Sequence, residues 1–216
     1  MCNIKYEIIS TGSDGNATVI DNNILIDCGV SYKKLMPYVK LLKLVICSHI
    51  HSDHFNRSTI RRLAAERPTL RFGAGEWLIP ELVSLGVSKS YIDVYEPEAT
   101  YNYGICAITP FKLQHNVPNM GYKLHFPTCK IVYATDTGTL AGVEAKDYDL
   151  YMVEANYEDD EIQARIKTKE SNGEYAYERE AMINHLSKAR CDEWVYANMG
   201  ANSEYIYMHQ HRGNTA

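Results

Sequence analysis

Short apolar runs bounded by glycine, asparagine or proline recur along the chain, and charged stretches with a helical rhythm separate them. Runs of the first kind read as strands, and apolar positions three and four apart read as helices. The opening "IKYEIIS" predicts a strand, "TGSDGNAT" a turn, and "ATVIDNNILIDCG" two strands joined at "DNN". "SYKKLMPYVK" predicts a short helix capped by Ser31, and "LKLVIC" a buried strand. "NRSTIRRLAAERP" predicts a helix stopped at Pro68, "TLRFG" a strand, and "GEWLIPELVSLG" a helix interrupted by Pro80. From residue 89 to 135 strands dominate, in "SYIDVYE", "ICAITPFKL", "GYKLHF" and "KIVYAT". "YDLYMVEAN" is a further buried strand, the charged stretch from "DDEIQ" to "CDEW" is mostly helical, and "EYIYMHQH" closes with a strand. The pattern predicts a mixed α and β protein without internal repeats or a low-complexity linker.

With 216 residues, 45% of them hydrophobic, the chain can bury one sizeable core, and a single domain over residues 1–216 is expected. The 22 basic and 27 acidic residues leave a net charge of −5. That balance excludes a globally basic surface for long nucleic acid but not a local basic groove. Six cysteines, at 2, 28, 47, 106, 129 and 191, form no CxxC pair, so reduced thiols and a cytoplasmic setting are expected. No basic region followed by an apolar core opens the chain, and no apolar run approaches the roughly 18 residues of a membrane span.

Residues 48–55, "SHIHSDHF", change the picture. Imidazole and carboxylate are the usual ligands of zinc and its neighbours. His49 and His51, two apart after a strand, can face one ion, while Asp53 and His54 can reach a second. Zinc–nitrogen bonds of ~2.0–2.1 Å and paired metals roughly 3.5–4 Å apart suit so compact a block. Asp27 ends the strand of "ILIDCG", where a carboxylate can orient a histidine N–H. In "TGSDGN", Gly12 and Gly15 permit positive φ, and Ser13, Asp14 and Asn16 are candidates to present polar groups to a metal or a substrate phosphate. Arg57, Arg61 and Arg62 follow the cluster and read as a solvated helix face or the border of a phosphate path.

"HIHSDHF" after an apolar strand resembles the HxHxDH signature of the metallo-β-lactamase superfamily. The resemblance implies an α/β, four-layer αβ/βα sandwich with two mixed β-sheets flanked by helices. It also implies two divalent ions, zinc or manganese with iron as a further option. On that resemblance His115 in "FKLQHNV" is the third imidazole of the first ion, and Asp136 in "ATDTG" bridges the two. The last imidazole is His209, with His211 and His185 as alternatives. The set is then His49, His51 and His115 on one ion, Asp53, His54 and His209 on the other, and Asp136 between them. His125 reads as a strand histidine without a catalytic role.

The strings "TGSDGNATVI", "ILIDCG", "HIHSDHF", "HNVPNMGYKL", "IVYATDTG", "YMVEANYE" and "NHLS" are similar, in this order, to those of the YycJ/WalJ-like group of bacterial hydrolases, which includes 5′-to-3′ DNA exonucleases. The ending "MHQHRGN" departs from that group, and the chain is short for it, which suits a phage-borne version. The resemblance places Glu154, Asn156 and His185 beside the metals, with His185, opening a helix, as a phosphate contact or the proton donor to the leaving oxygen, supported by Glu154, and Asn156 toward the substrate. The function implied is metal-dependent phosphodiester hydrolysis in which Asp53 orients or deprotonates the attacking water. A nucleic-acid exonuclease comes first, a phosphodiesterase for small cyclic nucleotides second, and a non-catalytic metal-binding protein third. No membrane partner is expected, and a homodimer stays open.

Overall fold

The computed structural model describes residues 3–210. The chain divides into two compact units, Asn3–Ala99 and a second running from residue 100 onward. Each is built on one mixed six-stranded sheet with helices beside it.

In the first unit the strands β1 (Tyr6–Ser10), β2 (Ala17–Ile20), β3 (Ile24–Ile26), β4 (Leu44–Cys47), β5 (Arg71–Gly75) and β6 (Ile92–Tyr95) lie side by side in sequence order. β1, β2 and β3 pair antiparallel, and β3 to β6 are parallel. Parallel strands need crossovers, and α1 (Tyr32–Leu35), α2 (Arg57–Glu66) and α3 (Ile79–Ser84) supply them. A strand covered on both faces loses the in–out alternation and becomes uniformly apolar. "ILI" of β3 and "LVIC" of β4 are buried at every position for that reason. Leu35, Ile60 and Leu63 of the helices join Leu25, Val45 and Phe72 of the sheet in one core.

α2 begins where the Asn56 side chain accepts the Thr59 N–H and ends before Pro68. Pro80 does not interrupt a helix. It lies in the first turn of α3, where a missing N–H costs nothing, after a 3₁₀ turn over Glu76–Leu78. Arg57 pairs with Glu81 at 2.5 Å, and Arg62 pairs with Glu66 and lies over the Tyr32 ring. These two arginines belong to a solvated helix face.

The second unit has the order β12-β11-β10-β9-β8-β7. β7 (Tyr101–Asn102), β8 (Ala107–Leu113), β9 (Asn119–Phe126) and β10 (Cys129–Ala134) form an antiparallel meander. β11 (Leu150–Glu154) and β12 (Glu204–Met208) continue it in parallel with β10. The charged stretch expected to be mostly helical resolves into α4 (Asp159–Ser171), α5 (Glu178–Asn184) and α6 (Lys188–Asn198). Cys191 and Val195 of α6 pack on Val132, Tyr151 and Val153.

Cys28, Cys47, Cys106 and Cys191 are buried. Cys129 is disulfide-bonded, which corrects the expectation of reduced thiols throughout; sequence spacing carries no information on which Cβ atoms meet in space. Cys2 lies outside the described residues. No helix of the described residues is long and apolar enough to cross a membrane.

Candidate functional site

The histidine block of the first unit leaves the C-terminal end of β4 and is clamped by backbone contacts to two other loops. Asn16 N–H donates to the Asp53 carbonyl at 2.5 Å, Gly29 N–H to the Asn16 carbonyl at 2.8 Å, and Cys28 N–H to the His54 carbonyl at 2.8 Å. Gly29 makes this approach possible, since a Cβ there would lie 1.6 Å from the Asp53 carbonyl oxygen. Gly12 and Gly15 take φ of 106° and 130°, so both use the positive φ expected of them.

Within the block, His49 Nε2 and His51 Nδ1 stand 3.1 Å apart, and His54 Nε2 is 3.7 Å from Asp53 Oδ2. Buried Asp27 spans the base. One of its carboxylate oxygens accepts the Ser48 N–H at 2.8 Å, and the other faces His54 Nδ1 at 2.7 Å. The carboxylate requires Nδ1–H on His54, which leaves Nε2 as the lone-pair atom. Asn16 is fully buried. Its Oδ1 accepts the Gly12 N–H, and its Nδ2 lies 2.7 Å from His54 Nε2 and 3.2 Å from the Asp53 carbonyl. Its side chain therefore holds the block together, whereas Ser13 and Asp14, expected with it toward a metal or a substrate phosphate, are exposed at the loop tip.

In the second unit the donors come from strand and helix ends. His115 follows β8, Asp136 follows β10, Glu154 closes β11, and His209 follows β12. Ligand atoms of Asp136, Glu154, His185 and His209 all lie within 4.8 Å of one another. Around Asp136 Oδ1, His209 Nε2 and His185 Nδ1 stand at 3.6 Å and His115 Nε2 at 3.9 Å. These separations exceed hydrogen-bond length, and for the Nε2 atoms of His115 and His209 they match donors arranged about a common cation, for which ligand atoms ~2.1 Å from the ion lie roughly 3–4 Å from each other, whereas His185 Nδ1 is within hydrogen-bond distance of Glu154. The donor chemistry of both units fits divalent metal ions.

Glu154 is the buried hub of this set. One of its oxygens accepts Thr137 N–H at 2.9 Å and Leu186 N–H at 3.2 Å; the other faces His185 Nδ1 at 2.7 Å and His209 Nδ1 at 3.1 Å. Burial alone would raise its pKa, but the hydrogen bonds from the two imidazoles outweigh burial and hold the carboxyl below its ordinary range. Glu154 thus faces Nδ1 of both imidazoles, Asn156 Nδ2 also lies 3.1 Å from His209 Nδ1, and the two rings stack 5.3 Å apart. Asn156, expected toward a substrate, donates its side-chain N–H to the His209 carbonyl at 2.9 Å. His185 ends α5 as its C-cap rather than opening a helix; Ser187 caps the next one. His125 sits on β9 and meets the Tyr148 hydroxyl at 2.6 Å. His211, the alternative to His209, lies outside the described residues.

Asp27, Asp136 and His209 share a feature that no pattern of polarity reveals: all three take positive φ, at 58°, 59° and 49°. Such backbone is costly for residues other than glycine and is held by its surroundings at functional positions. Asn119 supplies part of that hold, its side-chain N–H groups donating to the carbonyls of Thr135 and Asp136 at 3.0 and 2.7 Å. Gly138 supplies another, since a Cβ there would lie 2.0 Å from the Ile183 carbonyl oxygen, one residue before the Asn184 carbonyl that faces His115 Nδ1 at 3.1 Å. Asn119, Gly138 and Gly29 were readable only as letters within "HNVPNMGY", "ATDTG" and "ILIDCG".

A family model described as the beta-lactamase superfamily domain matches residues 22–199. The chain belongs to the beta-lactamase superfamily and carries the metallo-β-lactamase fold. Among solved structures, the metallo-β-lactamase fold protein YhfI from Bacillus subtilis aligns with a TM-score of 0.76 at 17% identity, over 98% of this chain and 88% of that one. Short-form human tRNase Z aligns at 0.66 and 15%, over 96% and 93% of the two chains. A diphosphatase of the PhnP family aligns at 0.66 and 11%, over 95% and 85%. No curated protein matches the sequence.

Proposed function

We propose that the protein is a divalent-metal-dependent phosphodiesterase acting on nucleic acid, an exonuclease-like enzyme of the YycJ/WalJ-like kind that works from the 5′ end. The observation that carries this reading is the cluster of Asp136, Glu154, His185 and His209 donor atoms within 4.8 Å, in a chain of a superfamily whose aligned structures include a tRNase Z and a diphosphatase. The allocation of two ions implied by the sequence signature, with zinc or manganese as the metal, is part of the proposal. Bound metal supplies the charge that acidifies water and neutralises phosphate oxygens. The residues of the chain do the rest. Asp53, with a quarter of its side chain exposed, orients the attacking water. His185, with a fifth of its side chain exposed, acts as the imidazolium: Nδ1–H stays on Glu154 while the Nε2 proton passes to the leaving oxygen, and the ring is left neutral.

The test offers 5′-phosphorylated duplex DNA, single-stranded RNA and a panel of 2′,3′- and 3′,5′-cyclic nucleotides to protein supplied with manganese or zinc, with Asp136→Ala as blank. Release of mononucleotides from polymer is the expected result. Cleavage of cyclic nucleotides with polymer left intact would replace it with a small-molecule phosphodiesterase, the reading that the net charge of −5 favours.

A further inference from the structure

Charge is unevenly spread over the second unit. Residues 100–135, which form β7 to β10, hold Lys112, Lys123 and Lys130 and no aspartate or glutamate; an even spread of the 27 acids over 216 residues would place between four and five there. Strand register gathers part of this charge on one face. Lys130 stands directly opposite His125, and Lys123 lies two residues along β9 on the same side, opposite Thr109 of β8. Side chains two apart on a strand are roughly 7 Å apart, and cross-strand neighbours about 5 Å. Farther across the sheet this face is closed by Leu140, Tyr148 and α6 around Val132, Tyr151 and Val153, whereas His125 is exposed and the two lysines are half-buried.

The lysine stems lie along aromatic rings that hold them on the sheet. Lys123 Nζ is 5.4 Å from the Phe111 ring centre and Lys130 Nζ is 5.2 Å from that of Tyr148. Partial burial of the ring against the sheet, then Lys130 and Lys123, push the His125 imidazole below its ordinary pKa, so the positive field of the strip is felt by its own members. Asp149 borders the strip, with a carboxylate oxygen accepting the Lys130 backbone N–H.

The strip has a direction. Asn119, at the other end of β9, holds the Asp136 carbonyl, so β9 runs from the donor cluster to the strip. Six residues from Asn119 to His125 span roughly 20 Å, the rise of about six stacked nucleotides at ~3.4 Å each. We infer that Lys123, His125 and Lys130 form a binding strip for the sugar–phosphate backbone of a nucleic-acid strand whose end is processed at the donor cluster. The inference rests on the phosphodiesterase reading and deepens it by naming the substrate as polymeric. A mononucleotide held at Asp136 is too short to reach the strip.

The experiment compares the wild type with Lys123→Glu/Lys130→Glu and the milder Lys123→Gln/Lys130→Gln, each checked for unchanged melting. Binding of a labelled single strand of about 20 nucleotides is followed by anisotropy in EDTA between about 50 and 200 mM salt. The glutamate pair is expected to weaken binding at least ~10-fold and to flatten the logarithmic salt dependence by about 1.4, the share of two single-strand phosphate contacts. Hydrolysis of the small chromogenic diester bis(p-nitrophenyl) phosphate stays at the wild-type rate. Unchanged affinity and salt slope in both variants, or no strand binding by the wild type, overturns the strip even if the small diester is cleaved. Strip-dependent binding without hydrolysis of any diester upholds the strip and removes the phosphodiesterase reading.

Discussion

His49, His51, Asp53 and His54 fall within six consecutive residues on one loop, whereas His115, Asp136, Glu154, His185 and His209 are drawn from 95 residues and five separate strand or helix ends. In the first unit, local spacing brings the donors together, and the neighbouring loops at Asn16 and Gly29 fix their orientation. In the second, no two donors are neighbours in sequence, and their assembly depends on β10, β11 and β12 running in parallel so that their C-terminal ends share one edge. Parallel sheets present ligand-binding ends on that side as a rule. The difference separates a ligand block that tolerates distant changes from one that registers any displacement of its scaffold.

The largest effect that bears on this contrast is expected from Asp136→Ala, whose carboxylate stands among three imidazole nitrogens. It should cost on the order of 10³-fold or more in kcat/KM, ~4 kcal/mol of barrier, and reduce metal stoichiometry by one ion. Full metal content measured by atomic emission would show that Asp136 is not shared between ions. His185→Ala should keep nearly all the metal and lose roughly 10²- to 10³-fold in kcat, as removal of a general acid does. Loss of metal with it would instead make His185 a ligand.

Next come the residues that hold ligands in place. Asp27→Asn and Asn156→Ala should each lower metal affinity or turnover by about 10- to 100-fold, measured by competition with a chelator. If the two units differ as described, Gly138→Ala should disturb the second set through Ile183 and α5 while the His54 environment, followed by imidazole NMR, stays unchanged. Equal shifts at His54 and His185 would erase the distinction.

The smallest effect concerns Glu178, buried at the start of α5 and paired with Lys169 at 2.7 Å. Burial, the largest single influence, raises its pKa, but the bond to Lys169, the backbone N–H and the charges of Lys169 and Arg165 together outweigh it and leave the folded-state value below the ordinary one. A depressed carboxylate pKa stabilises above the unfolded value and loses that contribution as pH falls through the folded one. Glu178→Gln should therefore melt lower than the wild type at neutral pH and converge with it in acid. A constant difference from pH 7 to about 3 would detach the ion pair from stability.

Much of this was legible in advance. Strands buried on both faces announce themselves as unbroken apolar runs, and "LVIC" followed by "SHIHSDHF" names strand and ligand loop together. His185 was placed at the wrong end of a helix because "NHLS" offers Ser187 as a cap without saying that α5 ends just before it. Asn16 was read toward a metal or a substrate phosphate and Asn156 toward a substrate, because an asparagine next to a ligand motif can face either way; only the folded neighbours show their amide nitrogens beside His54 Nε2 and the His209 carbonyl.

The sequence by itself determined the family, the alternation of strands and helices, and the identity of the metal-type donors, because side-chain chemistry and short-range periodicity are local properties. The tertiary structure alone decided which later histidines converge, that Asp27, Asp136 and His209 hold positive φ, and that Gly29 and Gly138 are contact points between backbones. Those facts depend on strand register and loop packing, where the energy of a residue is set by atoms far away in the chain.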